Sequence, residues 1–271
     1  MKKQLIIYKL HFISPLHIGS PREDYGISQT TIPSDTMYAA LTACLAKLGK
    51  IIPNEGDLKC TISSLFPFYQ KEKDAVVTYF LPRPLVNNLS DKYKDRLKDI
   101  KKVCWLTLDA FNLFIQGQDP FQNGDFEMQG AYLIRKGTDF DKEFIKSQVS
   151  ERVSITDRTM QSDAVPFYMD RVYFREKSGL YFIAEGDTTL LDKAIKLLAL
   201  EGIGTDRNLG NGFFEYEKDT ISIEMPDKAE HILALSSFCP ESKEQLTEML
   251  ESDKATYELQ RRGGWITTPP N

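Results

Sequence analysis

The chain has 271 residues, 41% hydrophobic and 27% charged, which is enough for a sizeable core in one large domain or two small ones. Its apolar runs fall far short of the roughly 20 residues a membrane-spanning helix needs, and Met1-Lys-Lys-Gln4 leads straight into a strand pattern, so no signal peptide is expected. The net charge of −5 counts against a free-standing nucleic-acid binder, and four scattered cysteines without a C-x-x-C pair predict a reduced, cytosolic protein with no structural zinc site.

Gln4 to Ile13 carries the alternation of a strand, and the Pro- and Gly-punctuated stretch from Ser14 to Pro33 reads as a loop. Ser34 or Asp35 is placed to cap a helix from Thr36 to Leu48, which ends at Gly49. A cap is the plain role for Asp35, and a catalytic carboxylate is the sharper one. Residues from about 50 to 128 fit no single period and read as an insertion into a core fold. Within it are a strand-like Ala75 to Leu81, a charged helical run from Ser90 to Lys102 and a short helix from Asp109 to Ile115. Strands are expected at Gln129 to Arg135 and Gly179 to Ala184, with a long hairpin at about 150–176 between them. Asp187 or Thr188 is placed to cap a helix from Leu190 to Leu200. Further on, strands are expected at Phe213 to Tyr216, Ile221 to Met225, His231 to Phe238 and Thr256 to Leu259, and a helix at Glu241 to Leu250.

This order, strand-helix-strand-strand-helix-strand, is the ferredoxin-like (RRM-like) pattern of an α+β protein, a four-stranded antiparallel sheet with two helices on one face. The expected division is a first ferredoxin-like domain over 1–218, carrying the insertion and the hairpin, and a degenerate second ferredoxin-like domain over 219–271. Charge is uneven along the chain. Lys71 to Lys102 holds nine Lys/Arg against five Asp/Glu, net +4, whereas Glu215 to Glu258 holds four lysines against twelve acids, net −8. Two solvated faces would account for this, as would one end turned to an anion and the other to solvent or a partner.

The densest motif is Glu201 to Phe214, with Gly202, Gly204, Gly210 and Gly212 within eleven residues and Arg207 and Asn208 at the crown. It lacks the Walker Lys-Ser/Thr and sits between a helix and a strand, the reverse of a dinucleotide fingerprint. It reads either as an αβ connection that needs glycine for its turns, or as bare amides, Arg207 and Asn208 contacting a phosphate backbone or base. Arg152, Arg158, Arg171 and Arg175 interleave with Phe167, Tyr168, Tyr173 and Phe174, a combination that suits phosphate forks and base stacking. Glu151, Asp157, Asp163 and Asp170 cancel those four arginines in the count, which leaves a plain surface hairpin as the rival reading. His11 and His17 could serve a metal-free ribonuclease as acid and base. With His231 the only other histidine, metal ligation is poorly supported. Arg261, Arg262 and Trp265 around Gly263-Gly264 resemble an interface hot spot or a stacking platform, or else a buried Trp beside a tight turn.

Four segments in order resemble the RAMP superfamily of CRISPR proteins, and within it the Cas-five-like family that forms the fourth Csm subunit of type III-A effector complexes. They are Ser14-Pro-Leu-His-Ile-Gly19 with Tyr25-Gly26 and Ile32-Pro-Ser-Asp-Thr36; Ser63-Ser-Leu-Phe-Pro67 with Leu81-Pro-Arg-Pro84; Arg152-Val-Ser-Ile-Thr-Asp-Arg158; and Gly202 to Phe213 with Arg261-Arg-Gly-Gly-Trp265. The resemblance implies a non-catalytic, cofactor-free subunit that caps the crRNA at its repeat-derived 5′ handle. It also implies docking to the large cyclase/nuclease subunit beside the backbone RAMP subunit. Carried over, Arg152 to Arg175 is the thumb hairpin and Gly202 to Gly212 the glycine loop along the handle. His17, Gly19, Arg22 and Tyr25 line the loop after the first strand, and Arg261, Arg262 and Trp265 lie at an interface. Asp35 matches only in position a target-cleaving aspartate of the backbone subunits. The family pattern continues with a further strand after the Gly-Gly-Trp turn, which does not follow here, and the acidic balance fits a subunit that works inside a complex. The alternative is a metal-independent endoribonuclease of the same superfamily that processes pre-crRNA.

Overall fold

The computed structural model describes residues 1–19, 25–50, 58–85, 93, 95–154, 165–229 and 231–260. The strands are β1 (Lys2–Phe12), β2 (Cys60–Ile62), β3 (Phe66–Tyr69), β4 (Thr78–Pro82), β5 (Trp105–Thr107), β6 (Phe126–Gln129), β7 (Tyr132–Arg135), β8 (Ile145–Ser154), β9 (Val165–Phe174), β10 (Gly179–Gly186) and β11 (Phe214–Glu224). The helices are α1 (Ser34–Lys47), α2 (Leu97–Lys102), α3 (Leu108–Ile115), α4 (Thr189–Glu201) and α5 (Lys243–Glu251). Among the described residues, nine strands form one sheet in the order β11-β1-β10-β3-β4-β5-β7-β6, with β2 also paired to β10, while β8 and β9 form a separate hairpin.

The middle of the sheet follows from side-chain alternation along β1. Leu5 and Ile7 point to one face, Tyr8 and Leu10 to the other, and all four are buried. Antiparallel register sets Ile7 against Ile183 and Tyr8 against Phe182 of β10, whose rings stack at 5.1 Å. Over the Tyr8 face lie α1, with Met37, Leu41, Cys44 and Leu45, and α4, with Leu191, Ala194, Ile195 and Leu198. Both sets recur at three and four residues, so each helix turns one apolar stripe to the sheet. The Ile7 face is covered as well, by Ile100 of α2 and Ala110 and Phe111 of α3. The region expected to be an insertion therefore widens the same sheet and supplies its second cover. A third cluster, around Tyr69, Phe80, Tyr132 and Phe144, joins the widened part to the hairpin's base.

Several expectations need correction. Strand β11 runs unbroken from Phe214 to Glu224 and pairs with β1 along its whole length, from Phe12↔Phe214 to Lys2↔Glu224, so the chain does not divide at 218/219. No strand forms at 231–238 or 256–259. Ile232 and Phe238 are exposed, and without a buried face nothing fixes a register there. The helix expected at 241–250 is present as α5, yet it buries no residue. Backbone and hydroxyl contacts hold this segment instead, Ser64 N to Leu235 O at 2.8 Å and Ser237 N to Ser34 Oγ at 2.9 Å. Helix α1 starts after Pro33 and has no side-chain cap, so neither Ser34 nor Asp35 is its N-cap. The described part of the 90–102 helix is limited to Leu97–Lys102.

The core assignment separates two substitutions. Ile195→Ala, at a fully buried site between α4 and the sheet, is expected to cost about 2–5 kcal/mol. Leu246→Ala on α5 is expected to change stability by no more than about 0.5 kcal/mol. Urea unfolding of the two variants beside the parent chain measures both.

Candidate nucleic-acid interface

The segment after β1 lies between the glycine loop and the hairpin, and its backbone bonds to both. On one side Leu16 and Val172 of β9 exchange bonds, Leu16 N to Val172 O at 2.9 Å and Val172 N to Leu16 O at 2.8 Å. On the other, Gly212 N reaches Pro15 O at 2.7 Å, Thr205 N reaches His17 O at 3.0 Å, and Phe213 N reaches Ser14 Oγ at 2.8 Å. Glycine makes this approach possible. A Cβ on Gly212 would stand 1.8 Å from Ile203 O, and one on Gly204 would stand 2.4 Å from His17 O. Both glycines also hold positive φ, 76° and 93°.

This geometry narrows the reading of the loop as a row of bare amides to Gly204 and the crown residues Asp206, Arg207 and Asn208. The N–H groups of Gly202, Ile203, Thr205, Leu209, Gly210, Asn211, Gly212 and Phe213 all bond to acceptors inside the protein. The glycines build the loop, and its side chains are what face outward. A single 3₁₀ turn, Arg207–Leu209, carries Arg207, Asn208 and Leu209 exposed at the crown. Beside it a cavity of about 470 Å³ is lined by Lys47, Glu201, Gly204, Asp206, Arg207 and Asn208. Lys47 is paired with Glu201 at 2.6 Å.

The hairpin meets this crown. Arg152 Nη1 donates to Asp206 Oδ2 at 2.8 Å, and a second cavity of about 430 Å³ opens between Arg152, Val153 and Phe167 on the hairpin and Leu209 on the loop. Register within the hairpin sorts its charges. Arg152 lies opposite Phe167 and Glu151 opposite Tyr168, while Gln148 lies opposite Arg171 and Val149 opposite Asp170. Opposed residues share a face and neighbours alternate. Lys146, Arg152 and Arg171 therefore share one face with Phe167 and Tyr173, and Glu151 and Asp170 fall on the other. Of the acids in that count, Glu151 and Asp170 therefore lie on the face opposite Arg152 and Arg171; Asp157 and Asp163 lie outside the described residues. Asp170 is buried and engaged, accepting from Ser28 N at 3.0 Å and from Ser147 Oγ. Arg171 Nε is buried and has no acceptor among the described residues.

Other expected site residues fare differently. His17 is buried, and its Nδ1 donates to Asp170 O at 2.7 Å, so the ring ties the segment after β1 to the hairpin. Gly19 is exposed beside it. Tyr25 is exposed, with its ring edge-on to Phe167 at 6.0 Å, and its carbonyl accepts from Asp170 N at 2.8 Å. Arg22, Arg158, Arg261, Arg262 and Trp265 lie outside the described residues. Asp35 is exposed, and its carboxylate accepts from Thr36 N at 2.9 Å. His11 lies on the far face of β1 with its ring edge-on to Phe68, and burial holds its imidazole below the ordinary value. Among the described residues no group of His, Cys, Asp and Glu could hold a metal, and no helix is long and apolar enough to cross a membrane. Asp206, Lys146 and Leu209 were not singled out from sequence. Only the 152–206 contact and the hairpin register give them a place, and neither has a local signature.

Similarity to known proteins points one way. No family model matches the chain. It is 27% identical over 218 residues to the CRISPR system Cms protein Csm4 of Thermococcus onnurineus, a match covering 75% of this chain and 63% of that relative's length. It is 23% identical over 246 residues to Csm4 of Streptococcus thermophilus, covering 86% of this chain and 73% of the relative. Two solved structures share the fold. One is a chain of the Csm1–Csm4 cassette in complex with pppApA, at 20% identity and TM-score 0.50, covering 83% of this chain and 72% of that one. The other is a chain of the Csm3–Csm4 subcomplex of the type III-A interference complex, at 17% identity and TM-score 0.51, covering 83% and 70%. The large mixed sheet with few helices is of the expected α+β class, and the chain is similar in sequence and fold to Csm4 proteins.

Two measurements test this geometry. Gly212→Ala forces a Cβ into the Ile203 carbonyl and is expected to lower the melting temperature well beyond Gly210→Ala. A Cβ on Gly210 meets nothing within 4 Å, so that change carries only the positive-φ penalty of about 1–2 kcal/mol. For His11 the folded-state pKa lies below the ordinary 6.5, with burial as the main cause and Glu217, 3.9 Å from Nε2, opposing it. The unfolded chain then takes up a proton that the folded chain refuses, so stability falls as pH drops below about 6.5. Melting curves from about pH 7 to 5 should fall less steeply for His11→Gln than for the parent, and an unchanged slope would show that His11 is not the group responsible.

Proposed function

We propose that the chain is a non-catalytic, crRNA-binding subunit of a type III-A CRISPR-Cas effector complex. In this reading it caps the 5′ handle of the guide and docks the large cyclase/nuclease subunit beside a backbone RAMP subunit in the cytoplasm. The observation that carries it is the junction at Asp206, where Arg152 of the hairpin's basic face pairs with the glycine loop and one cleft opens between Arg152, Val153 and Phe167 on the hairpin and Leu209 at the loop's crown. Arg171 and Arg207 supply the forks that phosphate recognition needs, with Phe167 and Tyr173 on the same face for stacking. The likeness to Csm4 relatives supports the setting. The spatial order β11-β1-β10-β2/β3, with α1 and α4 on one face, supports the ferredoxin-like assignment. The β8–β9 hairpin, which leaves the sheet just before β10, is its thumb. The segment after β11, with exposed Phe238, Leu246 and Leu250, is the piece we assign to the degenerate second domain. Arg22, Arg158, Arg261, Arg262 and Trp265 keep the roles that the family resemblance implies.

Nothing in the site favours the endoribonuclease alternative, because His17 is buried with Nδ1 bonded to the Asp170 carbonyl and His11 lies on the other face of β1 beside Phe68.

The test is RNA retention. The double variant Arg171→Ala/Arg207→Ala should weaken binding of handle-sequence RNA at low salt by roughly tenfold or more, and lower the slope of log affinity against log salt by about one to two. Unchanged retention would sink the reading. Site-specific cleavage of repeat RNA in EDTA would favour the nuclease instead.

A further inference from the structure

We propose that the cleft between the hairpin and the glycine loop seats one unpaired nucleobase, and that Asp206 turns Arg152 from a phosphate clamp into a reader of that base's edge. The inference rests on the RNA-binding reading above and deepens it. The two neighbouring cavities differ in chemistry. The one beside Arg207 is lined by charged and polar side chains with Gly204, as suits a phosphate backbone. The one beside Arg152, about 430 Å³, is lined by Phe167, Val153 and Leu209 and holds a single charge. Apolar walls around one planar donor fork suit a flat heterocycle better than an anion.

That fork is already half occupied. Arg152 Nη1 donates to the Asp206 carboxylate at 2.8 Å and lies 3.5 Å from Met169 Sδ. The carboxylate offsets the guanidinium charge, which weakens its pull on phosphate, and it fixes the plane of the remaining donors. Asp206 itself is held in place. Its backbone is left-handed at φ 60°, and its carbonyl accepts from Leu209 N at 2.9 Å and Asn211 N at 3.3 Å. A guanidinium with a free edge matches two adjacent acceptors on one base edge. Guanine presents such a pair, O6 and N7, and an unpaired cytosine presents another, O2 and N3, whereas adenine and uracil do not. The ligand class is therefore single-stranded RNA with an unstacked guanine or cytosine, its ring between Phe167 and Leu209.

The test uses the full chain and fluorescence anisotropy with short oligo-uridine RNA, the same RNA carrying one guanine, and the same RNA with an abasic site at that position. The parent chain should bind the guanine RNA about tenfold more tightly than the other two. Leu209→Ala, at an exposed position that the fold does not need, should erase that preference while leaving the abasic affinity within about twofold. Asp206→Asn should also lose the preference and steepen the salt dependence by about one, because Arg152 then acts as a free charge. Arg207→Ala should weaken all three RNAs alike. Equal binding of guanine and abasic RNA by the parent, or an equal loss on both in Leu209→Ala, overturns the base seat and leaves RNA binding standing. Failure of the parent chain to bind any of the three overturns both readings.

Discussion

The candidate site depends on one backbone passing between two others. Residues 14–18 bond to Val172 of the hairpin on one side and to Thr205 and Gly212 of the glycine loop on the other. Hydrogen bonds of this kind need the chains within about 3 Å of each other at nitrogen and oxygen, and a Cβ at 204 or 212 would stand closer than any real side chain can. Removing two side chains therefore lets three separate segments lock together. The loop crown and the hairpin are held in fixed relation as a result, and Arg152 and Asp206 meet.

That lock reassigns the glycines. Their number looks like an anion cradle, yet most of the loop's amides bond to carbonyls within the protein. The exposed side chains at the loop's crown are those of the 3₁₀ turn, Arg207, Asn208 and Leu209. The same lock explains the buried histidine. His17 lies within the threaded segment and uses Nδ1 to hold the Asp170 carbonyl at the hairpin's edge. A loop histidine that reads as a reactive group is a structural donor.

Periodicity made much of the scaffold legible. The apolar stripes of α1 and α4, the strand β1, the strand β10 and the existence of a hairpin all follow from spacings of two and of three to four residues, because a half-buried element must turn one face inward. Reading failed where no face is buried. Residues 231–238 and 256–259 have strand-like composition but, apart from Leu235 against the core, stay largely exposed, and they form no strand. The extent of the sheet was also hidden. Short strands such as Trp105–Thr107 carry too few residues to show a period, and only their partners define them.

Local chemistry in the chain was thus enough for the α+β class, the two helices over the sheet, the arginine-bearing hairpin and the glycine loop, and the ordered motifs were enough for the likeness to Csm4. Tertiary structure alone decided which of those residues reach solvent together. Charge counted along the sequence balances in the hairpin, whereas pairing register sends Lys146, Arg152 and Arg171 to one face and Glu151 and Asp170 to the other. The Arg152–Asp206 pair joins residues 54 positions apart, and no local pattern encodes a contact that exists only because a third segment holds both partners in place.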